Sequence, residues 1–416
     1  MLSNQTAQVD LPYLSAELPG VGGAIKRFDE DFIVEEMPRY EPSGVGTHIY
    51  FAIEKRGLPT LAAIQHIARA LGRQPRNIGY AGMKDAHGVT RQMLSLEHID
   101  PVRIESLALS RIKVLSISRH TNKLKLGHLA GNRFVIRIRD ADKSPEPAAR
   151  AIVDVLMRRG VPNYFGPQRF GARGDNALIG KAVLLGNHEE AIALMLGRPG
   201  PLDRGDALRA RELFEKGDYA AAADTWPRGT FAQQSRMCRA LARSGGNKRQ
   251  AWRTADHTLR KLFLSAFQSD LFNCVLARRI ELGLLDRLQT GDVAYKHANG
   301  ACFHVEDAAV EQPRCDAFEI SPTGPLFGRR MTPASGEPGE LESTVMADSG
   351  VGHEELSGRD SGRLDGARRP LRVPLAEVRV EFGEDDHGPF LLLAFALPAG
   401  AYATNVIREV CKNQAD

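Results

Sequence analysis

Only five cysteines occur in 416 residues, Cys238, Cys274, Cys302, Cys315 and Cys411, and no two of them stand as C-x-x-C. Neither a zinc site nor a disulfide framework is supported, and the thiols read as reduced, partly buried small hydrophobes. The twelve histidines form no H-E-x-x-H pair, so nothing calls for a metal. Long apolar runs are missing too. The stretch PFLLLAFALPAGAYA is broken by Pro398 and Gly400 and falls short of the ~20 residues that span a bilayer. MLSNQTAQVD has neither a basic start nor an apolar core, so the reading includes no signal peptide. GDNALIGK (174–181) is one residue too long for a phosphate loop, and Ala182 stands where Ser or Thr is needed. What remains is a cytoplasmic globular protein with no call for a membrane span or a metal, long enough for two domains.

The formal charge is only +4, but it is unevenly spread. Arg111 to Arg139 holds eight Lys or Arg and no acid, whereas 331–366 holds eight acids, two arginines and seven glycines. The basic block suits a phosphate backbone or, equally, a solvated strand face. The Gly-rich acidic segment reads as an exposed, flexible extension.

Patterning predicts mixed secondary structure. THIYFAIEKRG reads as a strand, and TLAAIQHIARALG (60–72) as a helix with Leu61, Ile64, Ile67 and Leu71 on one face. RFVIRIRD alternates, with Phe134, Ile136 and Ile138 to one side and Arg133, Val135, Arg137 and Arg139 to the other. A helix ends at Gly160. Beyond it, helical runs dominate to about residue 285, followed by a hairpin turning at Asn299-Gly300. The last strands, LAEVRVEF and FLLLAFAL, cannot form a sheet alone. They are expected to pair with the N-terminal region, which makes the middle an insertion into a discontinuous domain. The expected division is 1–160 and 371–416 around an inserted 161–370.

The chemistry-bearing candidate is GMKDAHGVTRQ (82–92). Glycine at 82 permits a bend that side chains obstruct, and a carboxylate beyond it can project into a cleft. With an ordinary pKa of about 3.9, Asp85 is ionised at neutral pH and suits a nucleophile, base or metal ligand. By itself a Lys-Asp turn is more often structural. No neighbouring residue supports a Schiff base at Lys84.

YAGMKDAHGVTRQ gains meaning from its company: EDFIVEE (30–36), KLKLGHLAGNRF (123–134), PNYFGPQRFG (162–171), SAFQSDLFN (265–273), TGPLFG (323–328) and LPAGAYATNVIRE (397–409). In this order, over nearly the whole chain, they resemble the TruD family of tRNA pseudouridine synthases. The resemblance implies an α+β fold: a pseudouridine-synthase-type mixed-sheet catalytic domain, discontinuous, with an inserted helix-rich TRUD domain. It implies isomerisation of uridine to pseudouridine at position 13 of the tRNA D arm, without cofactor. The family's nucleophile falls on Asp85. Its pocket residues fall on Phe32, Asn132, Phe134 and Tyr402; Lys26 and the basic block are expected to hold the tRNA backbone. Asp29 stands where the family often has Pro, and Tyr402 where some members carry Phe.

Those residue types suit the reaction. The target nucleotide must leave its stack, at a cost of a few kcal/mol. Phe32 and Tyr402 can offset that loss, since base–aromatic stacking is worth roughly 1–3 kcal/mol per base. Asn132 offers a donor and an acceptor to a base edge. Each aromatic taken alone is equally a core residue. Two rival readings stand beside this one: the same isomerisation on another RNA, and a catalytically silent RNA-binding protein.

Overall fold

A computed structural model describes residues 11–84, 86–142, 144–357 and 364–413. The chain divides into two compact units, one of Tyr13–Val161 with Val373–Asp416, the other holding Pro162–Arg372.

The discontinuous unit is built on nine strands: β1 (Gly22–Ala24), β2 (Phe32–Pro38), β3 (His48–Arg56), β4 (Gly79–Tyr80), β5 (Val89–Glu97), β6 (Ile112–His120), β7 (Leu129–Ala141), β8 (Ala376–Asp385) and β9 (Gly388–Pro398). They run in the order β8-β9-β7-β2-β5-β3-β6, with β1 beside β7 and β4 beside β5. The sheet is mixed: β2 and β5 are parallel, and the remaining pairs are antiparallel. The C-terminal strand β9 lies along β7 from Phe390↔Arg139 to Pro398↔Gly131. Alternation governs which side chains are buried. Phe134, Ile136 and Ile138 of β7 are buried, as are Leu391, Leu393 and Phe395 of β9.

Helix α1 (Thr60–Leu71) ends at Gly72, whose φ of +64° is the left-handed cap that glycine adopts without strain. It packs Ala63, Ile64, Ile67, Ala68 and Leu71 against Ile49, Phe51, Ile53, Leu94 and Leu96. Leu61, expected on this face, is 51% exposed. Its position lies roughly a quarter turn off the centre of the stripe, on the margin that the smaller Ala68 fills, while Ala63 fills the opposite one.

The other unit is helix-rich as far as its longest helix, His257–Glu281, and ends in a four-stranded antiparallel sheet. That sheet includes the expected hairpin of Val293–Lys296 with Cys302–His304, turning through Gly300 at φ +79°. One expectation is corrected here. Within 331–366, Gly336–Asp348 is a helix with Pro338, Glu342, Val345 and Met346 buried. Its apolar stripe is too thin to read from sequence because Glu342 sits in it, neutralised by Arg368 at 2.7 Å. The cysteines are all free thiols. Cys238, Cys315 and Cys411 are buried, while Cys302 is exposed rather than partly buried.

Among the described residues, no helix is long and apolar enough to cross a membrane.

Candidate active site

Two adjacent strands bring three of the six candidate residues onto one face of the sheet. β2 and β7 pair so that Val34 opposes Phe134 and Glu36 opposes Asn132. Phe32, Val34 and Glu36 therefore share a face with Asn132 and Phe134. Phe134 stacks on Phe395 of β9 at 5.3 Å and meets Phe32 edge-on at 6.4 Å. The Lys26 ammonium lies 4.4 Å above the Phe32 ring, in cation–π reach. Phe32 and Phe134 are both buried, so each serves the core as well as any pocket. The Oδ1 of Asn132 is buried and has no hydrogen-bond partner among the described residues. An unpaired buried acceptor is costly, and a base N–H would satisfy it.

Tyr402 belongs to a different element. It stands 39% exposed at the N-terminus of the helix Ala403–Cys411, five residues beyond Leu397, which opposes Asn132. Its exposure suits a surface on which a base stacks. Asp85 lies outside the described residues.

The residue before it is held firmly. The Lys84 backbone N–H donates to Thr60 Oγ1 at 2.8 Å, and the Thr60 hydroxyl donates to Gln92 Oε1 at 2.8 Å. Lys84 Nζ forms an ion pair with Glu36 Oε1 at 2.9 Å, and the other oxygen of Glu36 accepts the Met93 N–H at 3.0 Å. Lys84 is thus a salt-bridge partner. Gly82 has no positive φ; a Cβ there would sit 3.0 Å from Lys84 Nζ and 3.2 Å from Glu36 Oε1. The position is crowded, so a side chain would press the pair by a few tenths of an ångström, and the special bend that was expected is absent. Gly88, at φ +123°, closes the motif by crossing the Phe32 carbonyl too tightly for any side chain.

Glu36, Thr60 and Gln92 escaped the sequence reading, although Glu36 and Gln92 lie inside the quoted EDFIVEE and GMKDAHGVTRQ. A glutamate three residues from a strand end carries no local mark of burial. A cavity of about 190 Å³ adjoins them, lined by Glu36, Gln92, Tyr40, Tyr50, Met93 and Leu129 among others. Burial and the neighbouring Tyr40 hydroxyl raise the pKa of the Tyr50 phenol, so it stays neutral. None of the described sequence candidates lines this cavity.

The expected outward basic face of β7 is also corrected. Arg133 pairs with Glu377 at 2.5 Å and Arg137 with Asp385 at 3.4 Å. Arg139 is buried between Asp31 and Asp385, each 2.7 Å away. Their acids come from far along the chain, so local charge counting could not see the neutralisation. In the same basic block Arg111, Arg119 and Lys123 donate to backbone carbonyls, which anchors their charge without cancelling it.

Comparison with known proteins matches this frame over its length. A family model described as tRNA pseudouridine synthase D (TruD) fits residues 8–410. The tRNA pseudouridine synthase D of Geobacter metallireducens is 48% identical over 401 residues, covering 96% of this chain and 97% of the relative. That of Geobacter sulfurreducens is 46% identical over 404 residues, covering 97% of each. A crystal structure of a TruD protein from Methanosarcina mazei superposes with a TM-score of 0.84 at 30% identity, covering 97% of this chain and 96% of that one. Motif order, mixed sheet and whole-length similarity agree: the chain belongs to the TruD family of tRNA pseudouridine synthases, isomerases that act on tRNA.

Proposed function

We propose that the protein isomerises uridine 13 in the D arm of tRNA, in the cytoplasm, with Asp85 as nucleophile. The observation that carries this reading is the fastening of the residue before Asp85 to the strand face that also presents the unpaired acceptor of Asn132. In this reading the uridine leaves its stack and lies against Tyr402 and the Phe32–Phe134 side of the sheet. Asn132 Oδ1 accepts the N3–H of the uracil.

The Asp85 carboxylate then adds either to the uracil ring or to the anomeric carbon. The N1–C1′ bond breaks, the uracil turns, and a C5–C1′ bond forms. The C5 proton leaves to solvent, N1 regains a proton, and the carboxylate is released. Substrate and product are isomers, so no co-reactant is consumed. Lys26 and the anchored cations Arg111, Arg119 and Lys123 meet phosphates, contacts that orient the RNA without reading its sequence.

Two experiments test this. Incubation with an unmodified tRNA transcript, followed by carbodiimide treatment and primer extension, is expected to give one new stop, at position 13 of the D arm. A stop elsewhere moves the substrate site, and none at all defeats the reading. Replacing Tyr402 by Ala is expected to slow turnover of subsaturating tRNA by tenfold to a hundredfold, the equivalent of roughly 1–3 kcal/mol for one base stack. Tyr402→Phe keeps the ring and stays near the original rate; equal losses in the two variants would remove the stacking role.

A further inference from the structure

We propose that Glu36 and Lys84 are a positioning pair for the nucleophile, an inference that rests on reading Asp85 in that role. Neither residue is assigned to touch the substrate. Both are nearly buried, with side chains 7% and 5% exposed for Lys84 and Glu36. Three elements converge on Lys84. β2 supplies Glu36, α1 supplies Thr60 at its first turn, and β5 holds both of these through Met93 N–H and Gln92 Oε1.

The position of Glu36 in the sheet is telling. The β2–β5 ladder ends at Glu35↔Arg91, and just beyond it the Glu36 carboxylate bridges the two strands by accepting from Met93. The strand framework is thereby tied through one carboxylate to the residue adjoining Asp85. Burying an ion pair is a poor way to gain stability, because a packed apolar pair does as well without the desolvation cost. What the pair adds is direction: backbone and side chain of residue 84 are both fixed, which restricts where the next side chain can point. Misplacement of a reacting group by about 1 Å can cost on the order of a hundredfold in rate. The tetrapeptide G-M-K-D then has a reason for its spacing. Gly82 leaves room for the pair, Lys84 forms it, and the proposed nucleophile follows directly in sequence.

The test uses the full chain with tRNA transcript tritiated at uracil C5. It compares Glu36→Gln, the double variant Glu36→Gln with Lys84→Met, and Asp85→Asn. Glu36→Gln alone strands a buried ammonium and endangers folding, so the charge-free double variant carries the decision. It is expected to melt close to the unaltered protein and bind tRNA within about threefold. Its single-turnover tritium release is expected to fall at least about thirtyfold, in kcat and not in KM. A double variant that releases tritium at nearly the original rate, or that fails to fold, makes the pair a structural element and overturns the proposal. The Asp85→Asn arm separates the two ideas. If it is inactive while the double variant is fast, positioning alone fails; if it turns over, the nucleophile assignment fails first.

Discussion

Asp85→Asn protein is expected to release no measurable tritium from C5-labelled tRNA, yet to bind that tRNA about as tightly as the unaltered chain. This is the largest effect expected of any single substitution. Asn keeps the size and shape of Asp but is neutral, and its amide cannot attack carbon. Loss of a nucleophile typically costs on the order of 10⁴-fold or more, because other residues cannot substitute for the bond it forms. Binding is spared because affinity for tRNA comes mainly from phosphate contacts, and a single carboxylate opposes those if anything. The check is a single-turnover assay beside a filter-binding titration. Activity in the variant would hand the bond-making role to another group, and a loss of affinity matching the loss of rate would recast Asp85 as a binding residue.

The second large effect falls on stability. Arg139→Leu is expected to destabilise its unit by about 3–5 kcal/mol, the usual cost of stripping one partner from a buried charge pair. Arg139 Nε and Nη2 donate to Asp31 Oδ1 at 3.0 and 2.7 Å, while Nη1 and Nη2 reach the two oxygens of Asp385 at 2.7 and 2.8 Å. Asp31 is wholly buried, and without Arg139 it retains the Phe28 N–H at 3.1 Å. Arg139→Lys should rescue little, because an ammonium cannot reproduce the planar fork.

Acid dependence provides a second readout. Hydrogen bonds from Arg139 hold the Asp385 carboxyl well below the usual carboxylate range. A carboxyl with a lowered folded-state pKa stabilises fully above its unfolded value of about 3.9 and loses that contribution as pH falls below it. The gap in melting temperature between wild type and Arg139→Leu should therefore narrow below about pH 4. A gap of under a degree at pH 7 would mean that the pair is not worth its burial. Since Asp31 immediately precedes Phe32, the pair also fixes the start of β2, so the aspartate of the E-D-F motif has a structural task beside the aromatic it introduces.

These two predictions divide along the line between local and distant information. The motif around Asp85, the alternation of β7 and β9, the helix over 60–71 and the hairpin at Gly300 depend on neighbours within a few residues, where period and turn chemistry act. They could be read directly. So could the family, because the order of seven separated motifs is itself a property of the sequence. The candidates Phe32 and Phe134 were legible in that way, and pairing of their two strands puts them on one face.

What the sequence alone could not decide depends on charges and faces that meet only after folding. The arginines of β7 look like an open basic strip until Glu377, 244 residues from Arg133, arrives on β8, two strands away. The acidic 331–366 segment looks like a solvated loop until Arg368 makes room for Glu342 inside it. Glu36 looks like one of many surface glutamates until β5 and the Lys84 side chain close around it. In each case an ionised side chain is stable in the interior only because a partner of opposite charge is already there, and only the tertiary structure can supply that partner. By itself the sequence determined the family to which this chain belongs, because the order of its motifs is a property of the chain alone; the tertiary structure decided which charges are spent holding the fold, because their partners meet only after folding.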